Sequence, residues 1–422
     1  MRPRRPILPR AEDASTGLGL RSRAWCRTAI AVLLLACSGP QAFAQQVESL
    51  PGSSRRIVAI GDIHGAFNGV REILRKIEII DQRDNWVGGN SVLVQTGDFL
   101  DRGPGATKVA ELLMRLQEEA PKQGGQVIVL LGNHEILNLL SDFRDVTKYI
   151  YRNFIDGHSE KRLTVSCNGY ASFYRRIYEL RRDKPPKRRE LVERCRTEHQ
   201  LGQVEYLEAM GPTGDIGRWL RTLPIAAEVD GIVFVHGGFS PEMAERDLES
   251  LNKELRREIK SFDATRRYLI DQNLLLPTSP LADVLSVARQ LAKATSNAPT
   301  LPPLSSEFLH VLQFSKWLAV LEDGPLWFRG YARWSEEEGD EQLPLILERL
   351  NADRVVVGHT PQPPFHIRTR FDSRVFLIDT GMLTSFYKGH PSALEIQDGI
   401  FTAFYLTRQT LLYEPRTVAM TQ

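Results

Sequence analysis

Six side chains of the metal-binding kind recur in one local setting, each just past a short apolar run that closes on small residues. Asp62 and His64 follow Arg56-Ile-Val-Ala-Ile-Gly, and Asp98 follows Val92-Leu-Val-Gln-Thr-Gly. Asn133 follows Val127-Ile-Val-Leu-Leu-Gly, His236 follows Ile232-Val-Phe-Val, and His359 follows Val355-Val-Val-Gly. Two carboxylates, three imidazoles and one carboxamide make a mixed oxygen and nitrogen set that suits a pair of divalent transition ions. Asp62 and His64 can grip one ion, and Asn133, His236 and His359 a second. Asp98 has two oxygens with which to bridge them. Two ions roughly 3.5–4 Å apart hold a shared hydroxide and both oxygens of an in-line displacement. That is the chemistry of phosphoester hydrolysis.

Other reactive groups flank the ligands. His134 follows Asn133 directly and is expected to point at the leaving group, as general acid. Asp101 is expected to accept the other ring N–H, orienting the imidazole and favouring its protonated form. Arg102 offers a planar fork that matches phosphate oxygens. Arg329, in Gly324-Pro-Leu-Trp-Phe-Arg-Gly330, is a second candidate clamp, and Asn133 also faces the phosphate. Plainer readings stand beside these. A lone Gly-Asp or Gly-His after a strand is usually a turn. Asp101 and Arg102 could form a structural ion pair, and Arg329 could stack on Trp327 or Trp334. Glu135 reads as support for the ligands. Asp379, in Ile-Asp-Thr-Gly, reads equally as a brace or a turn cap. His158, His199, His310, His366 and His390 have no motif around them.

The elements that must carry these groups are legible in outline. Unbroken β-branched runs read as buried strands, and functional groups in open α/β sheets gather beyond the carboxyl ends of strands. Helices are expected over about 67–77 and over about 106–119, where Val109, Leu112, Leu113 and Leu116 keep the 3.6 period. The order is βαβαβ with short connections, which implies parallel pairing. Helical insertions are expected over about 141–223 and 241–316. The first holds a basic stretch at 181–196, read as solvated surface by default. Strands over 375–379, 393–397 and 400–406 end the core, with a hairpin turn at Asp398-Gly399.

With 422 residues and 42% hydrophobic content, the chain can build one large α/β domain with insertions, or two small domains. A net charge of +2 gives no indication of nucleic-acid binding, and few aromatics argue against a platform for single strands. The first 44 residues read differently. An Arg-rich lead, an apolar run over 28–37 and Ala42-Phe43-Ala44 have the layout of a secretory signal peptide cleaved after Ala44. The run is too short to span a membrane. The alternatives are an imperfect lipoprotein box, Leu34-Leu-Ala-Cys37, with a lipid anchor at Cys37, or an uncleaved anchor. An exported, periplasmic or secreted protein is expected. Cys167 and Cys195 then form either a disulfide or two buried thiols.

GDIHG, GDFLDRG, GNHE, HGG and GHT, in that order, resemble the signature of the calcineurin-like metallophosphoesterases. The GDxxDRG and GNHE blocks resemble its phosphoprotein phosphatase branch. GPLWFRG, the leader and the absence of a SAPNY-type block make the chain most similar to the Shewanella-like phosphatases. The resemblance covers about Arg56 to Gly381 and fades in both insertions. It implies a β-sandwich of two mixed sheets flanked by helices, within a catalytic domain over 56–413 that follows a linker at 45–55 and precedes a tail at 414–422. It implies one metal at Asp62, His64 and Asp98, a second at Asp98, Asn133, His236 and His359, His134 as general acid with Asp101, and phosphate on Arg102. No position of that set departs from the pattern, whereas the segment of Arg329 matches the wider family poorly.

The expected function is therefore a dimetal phosphoprotein phosphatase, using manganese, with iron or zinc as alternatives. A small-molecule phosphoesterase, such as a dinucleotide polyphosphate or nucleotide hydrolase, shares the same ligands. A non-catalytic phosphate-binding scaffold would not need His134 and Arg102 beside a full ligand set.

Overall fold

The computed structural model describes residues 55–296 and 303–415. The leader, the Ala44 cleavage, the Cys37 anchor, most of the linker, the loop at 297–302 and the end of the tail lie outside them. Among the described residues, eleven strands form two sheets. The first contains β1 (Ile57–Ile60), β2 (Val92–Gln95), β3 (Gln126–Val129), β9 (Ser392–Gln397), β10 (Ile400–Tyr405) and β11 (Gln409–Tyr413). The second contains β4 (Ala226–Val229), β5 (Ile232–Val235), β6 (Arg354–Val357), β7 (Arg368–Arg370) and β8 (Val375–Leu377). Their orders are β11-β10-β9-β1-β2-β3 and β4-β5-β6-β8-β7. β1, β2 and β3 pair in parallel, as do β5, β6 and β8.

Two mixed sheets are what the family resemblance implies: of the five ligand-bearing strands, three lie in the first sheet and two in the second. An apolar run alone does not reveal which strand joins which sheet. The two-residue period separates the two faces of each strand. Ile57, Ala59, Val92, Val94, Ile232, Phe234 and Val356 point into the core between the sheets. Val58, Ile60, Leu93, Val233, Val235, Val355 and Val357 point to the larger core that includes the helices. Phe376 and Phe401 stack across the sandwich with ring centroids 4.3 Å apart. Each such buried ring contributes about 1.5–3 kcal/mol relative to exposure.

Helix α1 (Phe67–Lys76) and helix α2 (Ala106–Glu119) supply the β1-to-β2 and β2-to-β3 crossovers. Val109, Leu112, Leu113 and Leu116 of α2 are buried. The strands stop earlier than the sequence suggested. β1, β2 and β3 end at Ile60, Gln95 and Val129, so the ligands stand on loops, and Asn133 opens helix α3 (Asn133–Leu139). His64 itself takes a left-handed turn, with φ of 46°. The hairpin between β9 and β10 turns at Asp398 and Gly399, with φ of 52° and 76°.

Both insertions are helical. The first includes Ser159–Leu180, Arg188–Glu198 and Gln203–Met210, and the second includes Leu248–Asp271 and Leu281–Ser296. Cys167 and Cys195 are joined by a disulfide that ties the first two of these helices. In the basic stretch, Arg194 pairs with Glu198 and Arg196 with Glu160. Among the described residues no helix is long and apolar enough to cross a membrane.

Candidate active site

The loops after β1, β2 and β3 meet the loops after β5, β6 and β8 at one end of the sandwich. Their backbone is unusual. His64, Asp98, Asp101, Arg102 and His359 all have positive φ, between 46° and 69°. Side chains rarely adopt this region, at a cost of order 1–3 kcal/mol each, and it persists where surrounding contacts enforce it. Glu135 provides much of that enforcement. Its buried carboxylate accepts from the backbone N–H groups of Asp98, Phe99, Leu100 and Gly132, at 2.8–3.0 Å. Glu135 thus clamps the β2 loop onto the start of α3. Gly132 must lack a side chain because a Cβ would collide with Asp98 Oδ1. A Cβ on Gly358 would lie 2.5 Å from Asp62 Oδ1.

Asp62, His64, Asp98, Asn133, His236 and His359 are all buried. The structure brings them together. Asp98 Oδ2 lies 3.7 Å from His64 Nε2 and 3.4 Å from His236 Nε2. Asp62 Oδ2 lies 3.8 Å from His64 Nε2. Asp98, His236 and His359 present ligand atoms within 4.8 Å of one another, and so do His64, Asp98 and His134. Carbonyl oxygens select the ring atoms that face inward. His64 Nδ1 donates to Leu100 O at 3.1 Å, and His236 Nδ1 donates to Thr96 O at 2.9 Å. Both rings then turn Nε2 to the cluster, the arrangement typical of metal-ligating histidines.

The residues fit a pair of cations on three further observations. His359 Nε2 is buried with no hydrogen-bond partner, a condition that costs free energy unless something ligates the lone pair. His236 Nε2 stands 3.0 Å from Asn133 Oδ1, two lone-pair atoms facing one another when the ring is neutral. The carboxylates are crowded. Burial, then Asp379 and Asp98, raise Asp62 well above the usual carboxylate range. Burial also raises Asp98, but the imidazoles of His236, His134 and His64 outweigh it and hold that group low. Positive charge relieves such crowding.

His134, whose ring centroid lies 4.7 Å from that of His64, differs from the other imidazoles in its partners. Its Nδ1 is 2.9 Å from Asp101 Oδ2, and its Nε2 is 3.8 Å from Asp98 Oδ2. Burial lowers its pKa, yet the Asp98 and Asp101 carboxylates overcome this and raise it to about 9. Asp101 is fixed in turn. Asn138 Nδ2 donates to both of its oxygens at 3.0 Å, and the Tyr206 hydroxyl donates to Asn138 Oδ1. Tyr206 belongs to the first insertion, so that region reaches the site through the chain Tyr206, Asn138, Asp101 and His134.

Arg102 donates to His64 Nε2 at 2.7 Å, and its guanidinium lies over the rings of Phe386 and Tyr387, at 5.2 and 5.4 Å. Arg329 donates to His359 O and Thr360 Oγ1, both at 3.0 Å, which ties it to the β6 loop. Asp379 is buried against Asp62. Sequence reasoning did not find Asn138, Tyr206, Phe386 or Tyr387. None of them carries a local motif, and each reaches the site only through the folded arrangement of distant segments.

The family model described as Calcineurin-like phosphoesterase matches residues 55–363. The chain is 28% identical over 348 residues to Shewanella-like protein phosphatase 1 of Plasmodium berghei (strain Anka), covering 81% of this chain and 72% of that protein. It is 36% identical over 220 residues to Shewanella-like protein phosphatase 2 of Arabidopsis thaliana, covering 50% and 53%. The fold is shared with the crystal structure of a cold-active protein-tyrosine phosphatase from a psychrophilic Shewanella, at a TM-score of 0.55 and 22% identity over 85% of this chain and 80% of that one. Ligand-type side chains, clamped loops and the family match agree: the chain belongs to the calcineurin-like phosphoesterases, and within them it is similar to Shewanella-like phosphatases.

Proposed function

We propose that this phosphoesterase is a dimetal phosphoprotein phosphatase. The observation that carries the reading is the placement of His134. Its Nδ1 is held by Asp101 while its Nε2 faces the same space as the ligand atoms. Asp62, His64 and Asp98 would hold one divalent cation, and Asp98, Asn133, His236 and His359 the other. When bound, these cations supply Lewis-acid polarisation of the phosphoryl group and an activated water. The chain's own residues do the rest. Arg102, braced on Phe386 and Tyr387, and Arg329, braced on the β6 loop, bind and orient the phosphate oxygens. The proton on His134 Nε2 passes to the departing oxygen, while Asp101 keeps the imidazolium in line. Asn138 and Tyr206 hold Asp101 in place for that task.

A protein substrate is favoured by the names of the relatives. A cleft of about 650 Å³, lined by Gly65, Phe67, Lys108, Asn153 and Thr384, includes the residue that follows His64 in the chain. We propose manganese as the metal, with iron or zinc as alternatives that elemental analysis of purified protein would reveal. We also propose export, from the leader and from the Cys167–Cys195 disulfide, which belongs in an oxidising compartment. N-terminal sequencing of the mature protein checks cleavage after Ala44.

The functional test is turnover of a phosphotyrosine peptide, a phosphoserine peptide and diadenosine tetraphosphate, with and without chelator. Chelator-sensitive turnover of a phosphopeptide that returns with Mn²⁺ is expected. Turnover of the dinucleotide alone would overturn the protein-substrate reading.

A further inference from the structure

We propose that Asp379 is a positioning residue for the cation pair: its carboxylate braces Asp62 and adds a third negative charge facing the ion that Asp62 holds. This rests on the dimetal reading above. Asp379 follows β8 directly after Ile378 and is 5% exposed. Its Oδ1 accepts from Gly381 N at 2.9 Å. Its Oδ2 has no donor, and among the described residues it is the only buried carboxylate oxygen in that condition.

The surroundings show where the unpaired oxygen acts. The Asp379 carboxyl lies against that of Asp62 and feels the charges of Asp98 and His236. The backbone just before it is pinned. Ile378 N donates to Val357 O at 2.9 Å, and a Cβ on Gly61 would lie only 2.5 Å from Ile378 O. The loops after β1 and β8 are therefore in backbone contact. The nearby guanidinium of Arg329 spends Nη1 on His359 O and Thr360 Oγ1. A buried carboxylate oxygen with neither donor nor cation beside it is unfavourable. Positive charge among the Asp62 and Asp98 oxygens satisfies it. Carboxylates that support ligands in this way typically change metal affinity by roughly 10–100-fold.

The competing role is a turn cap, and it makes a different demand. The bond from Gly381 N to Oδ1 is an Asx-type turn that asparagine makes equally well. Asp379→Asn therefore keeps the cap and removes only the charge. Asp379→Ser keeps a shorter acceptor and serves as a second variant.

The experiment titrates Mn²⁺ into metal-free wild type, both variants and Asp98→Asn by calorimetry, with the Tm of each metal-free protein measured alongside. Wild type is expected to bind two Mn²⁺. In Asp379→Asn the metal-free Tm should hold or rise, because a crowded charge is gone. Its Mn²⁺ affinity at one site should fall roughly 10–100-fold, and the half-activating Mn²⁺ concentration should rise by the same factor. Wild-type affinity in Asp379→Asn would overturn the inference and leave the dimetal reading standing. A lowered metal-free Tm or loss of fold in both variants would show a structural brace alone and also overturn it. A wild type that binds no Mn²⁺ would instead sink the reading beneath it.

Discussion

The two sheets meet at one site but contribute unequally. The loops of the first sheet carry Asp62, His64, Asp98, Asp101, Arg102, Asn133 and His134, which include the proposed proton donor, the proposed phosphate fork and the carboxylate that lies within 4 Å of three imidazoles. They are held from within, by the four N–H bonds to Glu135. The loops of the second sheet bring His236, His359 and Asp379. Two of these depend on atoms of the first sheet. His236 Nδ1 donates to Thr96 O, and His359 N donates to Asp62 Oδ1 at 2.9 Å. One half is built on its own bonds and the other is templated on it. A change in the first half should therefore disturb both ions, and a change in the second should leave the acid pair intact.

The largest effect is expected at Asp98. Asp98→Asn removes charge from the group common to both clusters, so activity should fall by more than the roughly 10–100-fold that a supporting residue costs. Elemental analysis should show both ions depleted; if only one is lost, Asp98 does not bridge. Next is His134→Asn, which should cost roughly 10²–10⁴-fold on an alkyl phosphate and clearly less on p-nitrophenyl phosphate, whose phenoxide leaves with little proton assistance. Equal losses on the two substrates would remove His134 from the role of acid.

Glu135→Gln tests whether the first half is self-supporting. The amide cannot accept as the carboxylate does. We expect a loss of about 1–3 kcal/mol in denaturant unfolding, with activity down roughly 10–100-fold. Unchanged stability would mean the loop holds its left-handed turns without the clamp. The smallest effect on turnover is expected from the second half. Arg329→Ala would remove the proposed charged hydrogen bond to phosphate, of about 1.5–3 kcal/mol, and the loss should fall on binding. KM should rise while the contrast between alkyl and aryl substrates stays that of wild type. A collapse of that contrast would show that the two halves are not separable.

Much of this was readable from the chain itself. β1, β2, β3, β5 and β6 announce themselves as apolar, β-branched-rich runs, and helix α2 by its 3.6 period. The ligand types and their order pointed to the chemistry. The assignment of strands to two sheets was not readable, because Ile57 and Val58 look alike although they face different cores. The short strands β4 and β7 carry no strong apolar run, and β7 reads Arg-Thr-Arg. The left-handed turns at His64 and Asp98 are imposed by contacts rather than by local preference. The reach of Tyr206 and of the Phe386-Tyr387 pair depends on how remote segments pack.

The bond between Cys167 and Cys195 has one more effect. It brackets residues 181–187, a mostly exposed, Lys- and Arg-rich connection between the two helices it joins. A trypsin-like enzyme that cuts there severs the chain without releasing a fragment. The nicked molecule gains the mass of one water, and under denaturing conditions separates into two pieces only once a reductant opens the link.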